Sequence, residues 1–177
     1  PNSIPLKKGD LVSIDFGIAY KGFNTDHCWT WSIGQPSDKN RKLLLAGRKA
    51  VENCLPLAIT GNYTGDLGYE MERVAKENGF NVLRMFVGHG IGKSLHEEPD
   101  IPAYGRKHTG TRLITGMVIC IECQVVDDDG NKKTIESNER YYVPSEITWL
   151  LKSLGYKKIE IFGEKLGAFS RKDKLTT

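Results

Sequence analysis

The sequence is short of cysteine, of charge of one sign and of long apolar runs, and each shortage removes a class of protein. Four cysteines in 177 residues (Cys28, Cys54, Cys120 and Cys123) do not make a secreted disulfide framework, so reduced thiols are the default. A formal net charge of +3 is too mild to be the electrostatic footprint of a nucleic-acid or membrane-surface binder. No stretch approaches the roughly 18 uninterrupted apolar residues of a membrane span, and neither an internal repeat nor a low-complexity run is present. Pro1 to Asp10 lacks the apolar core of a targeting peptide and an initiator Met, which points to a cytoplasmic protein whose natural chain extends further upstream. What remains is a chain with 39% hydrophobic residues, enough for a globular domain with a real core and suited to small polar or peptide-like partners.

Two β-rich runs open the chain, Leu11 to Tyr20 and Phe23 to Ile33, and Lys21-Gly22 between them predicts an antiparallel hairpin. Val12, Ile14, Phe16 and Ile18 share one face of the first run, while Ser13, Asp15, Gly17 and Ala19 make the other small and polar. The second run repeats this division, with Asn24, Asp26, Cys28, Thr30 and Ser32 on the polar side. A helix opened by Ser37 or Asp38 follows, apolar at Leu43, Leu44, Ala50, Val51 and Cys54 and stopped before Pro56. A second helix begins near Thr64, repeats at Leu67, Met71, Val74 and Ala75, and ends at Gly79. Asn81 to Val87 and Met117 to Val126 read as further strands, the first followed by a glycine-punctuated Gly88-His89-Gly90-Ile91-Gly92. After the acidic turn Asp127-Asp128-Asp129-Gly130 the composition shifts. Residues 131–177 hold 10 Lys+Arg against 6 Asp+Glu, residues 1–130 hold 15 against 16. That tail reads as a loop, a helix with Ile147, Leu150, Leu151 and Leu154 closed by Gly155, and a strand Lys157 to Phe162.

Asp15 and Asp26 are the first residues that suggest chemistry. Across a two-residue turn, positions whose numbers differ by an odd amount share a face, and these differ by 11. Asp15 then faces Cys28 and Asp26 lies diagonally, about 7 to 8 Å away at Cα. Carboxylates so placed repel unless a proton or cation sits between them; from the hairpin alone, two exposed strand acids are the favoured reading. His89 lies between glycines that let backbone or ligand come close, His96 follows seven residues later, and Glu122 sits amid apolar neighbours where burial needs a partner. Two Asp, one His and one Glu make a hard site with one imidazole, suited to Mn, Fe, Co or Zn. Cys120 and Cys123 form a C-x-x-C, but residues three apart on a strand point to opposite faces, so both read as core.

Asp15-x10-Asp26, the G-H-G-I-G-x-x-x-H-E-E-P of residues 88–99, and Gly116-Met117 with Ile121-Glu122 resemble the type I methionine aminopeptidases of the pita-bread metallopeptidase superfamily, over about Leu6 to Gln124. The resemblance implies an α+β, partial pita-bread fold with an antiparallel sheet flanked by two helices. It also implies Asp15, Asp26, His89 and Glu122 as ligands of divalent ions, ideally two. His96 becomes the substrate-side histidine, and Glu122 both ligand and proton shuttle. The implied reaction is release of N-terminal methionine from peptides or nascent proteins by metal-activated water. Three departures stand beside it. A family histidine would fall before Pro1, Cys123 replaces the usual proline, and the last carboxylate ligand has no counterpart, Glu160 reading as a surface acid. About Lys133 to Thr177 resembles instead the end of a class I S-adenosylmethionine-dependent methyltransferase, without a glycine-rich loop for S-adenosylmethionine, so no such binding is expected. The expected organisation is therefore 1–130, peptidase-like, and 131–177, a methyltransferase-like tail. The rival function is a vestigial peptide-binding module whose metal site is incomplete.

Overall fold

The computed structural model describes residues 5–127, 144–155 and 157. The chain divides into two compact units, Pro5–Lys132 and a second made of Pro1–Ile4 with Lys133–Thr177. In the first unit, strands β1 (Leu11–Tyr20) and β2 (Phe23–Ser32) form a two-stranded antiparallel sheet in which Asp15 pairs with Cys28 and Gly17 with Asp26. Lys21 and Gly22 both have positive φ, 50° and 83°, the twist-matched turn that holds this register. The apolar face foreseen for the hairpin is present but uncovered: Ile14, Phe16, Ile18, Trp29 and Trp31 are each at least 41% exposed.

Helix α1 (Asp38–Cys54) starts where the Ser37 hydroxyl accepts the N–H of Asn40 at 3.1 Å, and a 3-10 turn at Leu55–Leu57 carries Pro56 away from it. Helix α2 (Thr64–Glu77) starts with the Asp66 carboxylate accepting the N–H of Tyr63 at 2.8 Å, and Gly79, at φ 80°, follows its end. The faces these helices turn inward, Ala46, Ala50 and Cys54 on α1 and Leu67, Met71, Val74 and Ala75 on α2, form the core with Phe80, Val82, Ile101, Ala103 and Leu113.

The remaining strands are short. β3 (Phe80–Val82) pairs antiparallel with β7 (Val125–Asp127), and β4 (Val87–Gly90) lies between β5 (Glu97–Pro102) and β6 (Ile119–Cys120). The single strand expected over Asn81–Val87 is thus two, parted at Leu83–Phe86, and Met117–Val126 is likewise broken between Cys120 and Val125. Gly88, His89 and Gly90 of the glycine-punctuated segment lie in strand β4. Its glycines serve packing: a Cβ on Gly90 would fall on the carbonyl oxygen of Glu98, and one on Gly88 on that of Cys120.

In the second unit, helix α3 (Pro144–Ser153) is followed by Gly155 at φ 93°, as the sequence predicts. Glu160 and residues 158–162 of the expected last strand lie outside the described residues. Among the described residues no helix is long and apolar enough to cross a membrane.

Candidate metal centre

Three segments of the first unit converge. His89 comes from β4 and is the direct partner of Cys120 in the β4–β6 register. Glu122, two residues beyond Cys120, points the same way. Asp26 arrives from the hairpin, which is latched to the loop after β4 by Asn24: its N–H donates to the carbonyl of Gly92 at 2.7 Å, and its Nδ2 donates to those of Gly92 and Lys93 at 3.1 and 2.9 Å. One donor atom each from Asp26, His89, Cys120 and Glu122 lies within 4.8 Å of all the others.

His89 organises the cluster and is only 4% exposed. Its Nδ1 is 2.8 Å from the carbonyl oxygen of Gly90, which can only accept, so the Nδ1 proton is committed there. Nε2 then faces Glu122 Oε1 at 3.1 Å and Asp26 Oδ2 at 3.5 Å. A bare lone pair against two carboxylates is repulsive, and either a proton or a metal cation at Nε2 resolves it. An imidazole oriented by a backbone carbonyl, with two acidic oxygens and a sulfur around its second nitrogen, is a donor set that fits a divalent first-row ion.

The acids bear the same strain. Burial pushes the Glu122 carboxyl above its ordinary range, and Asp26 and Asp15 add to the rise against the opposing pull of His89. Burial likewise raises Asp15, the negative charge of Asp26 adding to it while His27 opposes. A divalent cation would reverse both shifts. Asp15 therefore shares the electrostatic neighbourhood but stands outside the four converging donors, across the hairpin from Cys28. The ring of His96 lies 4.3 Å from that of His89, centroid to centroid, edge to face.

Sequence reasoning missed Cys120. Opposite faces do separate the two thiols, and Cys123 packs against the core, where burial lifts its thiol to about 12. Cys120, however, does not belong to that core: it faces the carboxylates, and burial with the charges of Asp26 and Glu122 lifts its thiol to about 11. The signal was in the sequence, because Cys120 and Glu122 are two apart and so share a face.

The profile of metallopeptidase family M24 matches residues 1–151. The chain belongs to that family. The match continues beyond Asn131 into α3, over the start of the segment compared above with a methyltransferase. This M24 chain is 38% identical to the methionine aminopeptidase of Clostridium perfringens over 136 residues, 77% of this chain and 55% of the relative. It is 37% identical to methionine aminopeptidase 1 of Bacillus subtilis over 138 residues, 78% and 56% of the two. Among solved structures, the methionine aminopeptidase of Rickettsia prowazekii superposes with a TM-score of 0.70 at 34% identity, covering 77% of this chain and 54% of that one. A prolidase of Pyrococcus horikoshii gives 0.60 at 29%, covering 69% and 34%. The partial pita-bread fold is thus as expected, and the M24 chain spans about half the length of the curated relatives it matches.

Proposed function

We propose that this M24 chain is a metal-dependent aminopeptidase that releases N-terminal methionine from peptides or nascent proteins in the cytoplasm. The observation that carries this is the convergence of Asp26, His89 and Glu122, with His89 Nε2 turned to both carboxylates, in a chain 38% identical to a methionine aminopeptidase. Asp26, His89 and Glu122 would hold one ion, and Asp15 together with Asp26 would offer oxygens to a second. The ions are Mn, Fe, Co or Zn, and when bound they acidify a water and polarise the scissile carbonyl. Glu122 would serve as both ligand and proton shuttle, taking a proton from the activated water and passing it to the leaving amine. His96, edge-on to His89, is the substrate-side histidine and would orient the peptide beside the centre. Residues 1–130 carry this chemistry, and residues 131–177 are a tail without a role in it.

The test is methionine release from a Met-Ala-Ser peptide by the full chain loaded with excess Mn or Co, compared with peptides beginning in Leu or Ala. Release that is selective for Met and falls to background in Asp26→Asn is expected, with low turnover at one equivalent of ion because a family carboxylate is missing. Equal rates on all three peptides would make it a general aminopeptidase. An ion-loaded chain that cleaves none of them would be the peptide-binding module instead.

A further inference from the structure

We infer that Cys120 is a metal ligand in this chain, so that Asp26, His89, Cys120 and Glu122 hold the first ion of the centre, a borderline-soft zinc or cobalt, in a mixed nitrogen, sulfur and oxygen site. The inference rests on the centre proposed above and deepens it. Three observations carry it. The converging set has four members and the thiol is one of them, whereas Asp15, the ligand a second hard ion would need, is outside it. Cys120 is set by the β4–β6 register directly opposite His89, so the backbone that carries its sulfur is held beside the imidazole. His89, buried and oriented through Nδ1, aims Nε2 at the same point.

The size of the set also fits. Donors about 2.0 to 2.3 Å from a tetrahedral ion lie roughly 3.4 Å from one another, so the present spread of at most 4.8 Å closes by small side-chain rotations. On binding, the Cys120 S–H bond breaks, its proton leaves to solvent, and the thiolate donates its electron pair to the ion. A thiolate in place of a carboxylate or water favours zinc and cobalt over manganese. Cys28 is the rival thiol, since it lies across from Asp15 and feels the same acids, but it is exposed and outside the converging set.

The experiment titrates Co2+ into the metal-free full chain, without oxygen and with a non-thiol reductant, while following the thiolate-to-cobalt charge-transfer band in the near ultraviolet. The band should saturate at one equivalent. Cys120→Ser should abolish it and weaken Co2+ and Zn2+ binding by more than about tenfold, the least expected of a direct ligand. Cys28→Ser should leave it intact, and Glu122→Gln should weaken binding yet keep the band at saturating Co2+. Should Cys120→Ser fail to fold, alkylation of the unaltered protein replaces it: Zn2+ is expected to protect Cys120 and leave the labelling rate of Cys28 unchanged. Tight Co2+ binding without the band, a band that survives Cys120→Ser, or no protection of Cys120 overturns the inference while the metal centre stands. No binding of any ion overturns both. A saturable band with no methionine release supports the ligand and defeats the peptidase.

Discussion

Replacing Gly90 by alanine strikes the centre through backbone rather than through a ligand. β4 is the middle strand of its sheet, and the new methyl would fall on the carbonyl oxygen of Glu98 and lie 2.8 Å from that of Glu97. Both obstacles are main chain, so no flexible side-chain tip can yield; β5 must move away. Overpacking of this kind costs about 1–3 kcal/mol, and each ladder hydrogen bond lost with it about 1 more. A total of roughly 2–4 kcal/mol follows, a large fraction of the 5–15 kcal/mol typical of a domain. His89 precedes Gly90 and its Nδ1 is held by the Gly90 carbonyl, so the movement also turns the imidazole. Gly47→Ala is the matched control with the opposite sign. Gly47 lies inside α1 and its added Cβ would sit 3.8 Å from Val125 Cγ2, an ordinary contact, so the helix should gain about 0.5–1 kcal/mol. Urea unfolding of both metal-free variants, followed by circular dichroism, measures the difference, and a Co2+ titration reads the imidazole. Gly90→Ala within about 0.5 kcal/mol of the parent, with unaltered Co2+ affinity, would refute the close packing of β4 against β5.

Two further substitutions test the supports of the site and the core. Asp66 accepts the N–H groups of Tyr63 and His108, each at 2.8 Å. Burial pushes its carboxyl up, but these N–H groups and the positive charge of His108 and Lys107 outweigh that and hold it below its ordinary range. Its stabilisation is therefore complete above the unfolded value of about 4 and is lost as pH falls through the lower folded value, so Asp66→Asn should cost roughly 1.5–3 kcal/mol at neutral pH, a gap that narrows on acidification. Urea midpoints measured across that range decide it, and a gap that widens in acid contradicts the sign. Asn24→Ala removes the two side-chain bonds to the Gly92 and Lys93 carbonyls, worth about 1–2 kcal/mol, and because Asn24 is two residues from Asp26, ion affinity should fall about fivefold or more. A chelator competition that finds the affinity unchanged would show that the latch does not position Asp26.

The parts of the fold legible in the sequence are those whose periodicity is local. Alternation and Lys21-Gly22 suffice for the hairpin, and Ser37, Pro56 and Gly79 bracket helices whose apolar residues repeat at 3.6. β5 was not anticipated, because Glu97–Pro102 contains two prolines and no alternation; it is a strand only because β4 lies beside it. Gly88 and Gly90 read in the sequence as room for backbone or ligand beside His89, and they do admit backbone, but which strands approach them no local pattern encodes. Of the candidate site, Asp26, His89 and Glu122 were readable as an ordered set and are brought together. Cys120 was overlooked because it was weighed only against Cys123, when the residue that mattered was Glu122.

The uncovered hairpin has a kinetic consequence. Among the described residues no strand from the rest of the fold pairs with β1 or β2, and a two-stranded ribbon alone is marginal in water. Elements with little buried apolar surface open at a lower free energy than a packed core, so the hairpin is the first cooperative unit of this body to lift away and its amides the first to exchange. Asp15 and Asp26 ride on that arm, while His89 and Cys120 belong to strands β4 and β6 and Glu122 to the segment after β6. An ion bound by Asp26 together with His89, Cys120 and Glu122 would tie the arm to the body, so ion binding should slow the exchange of the hairpin amides.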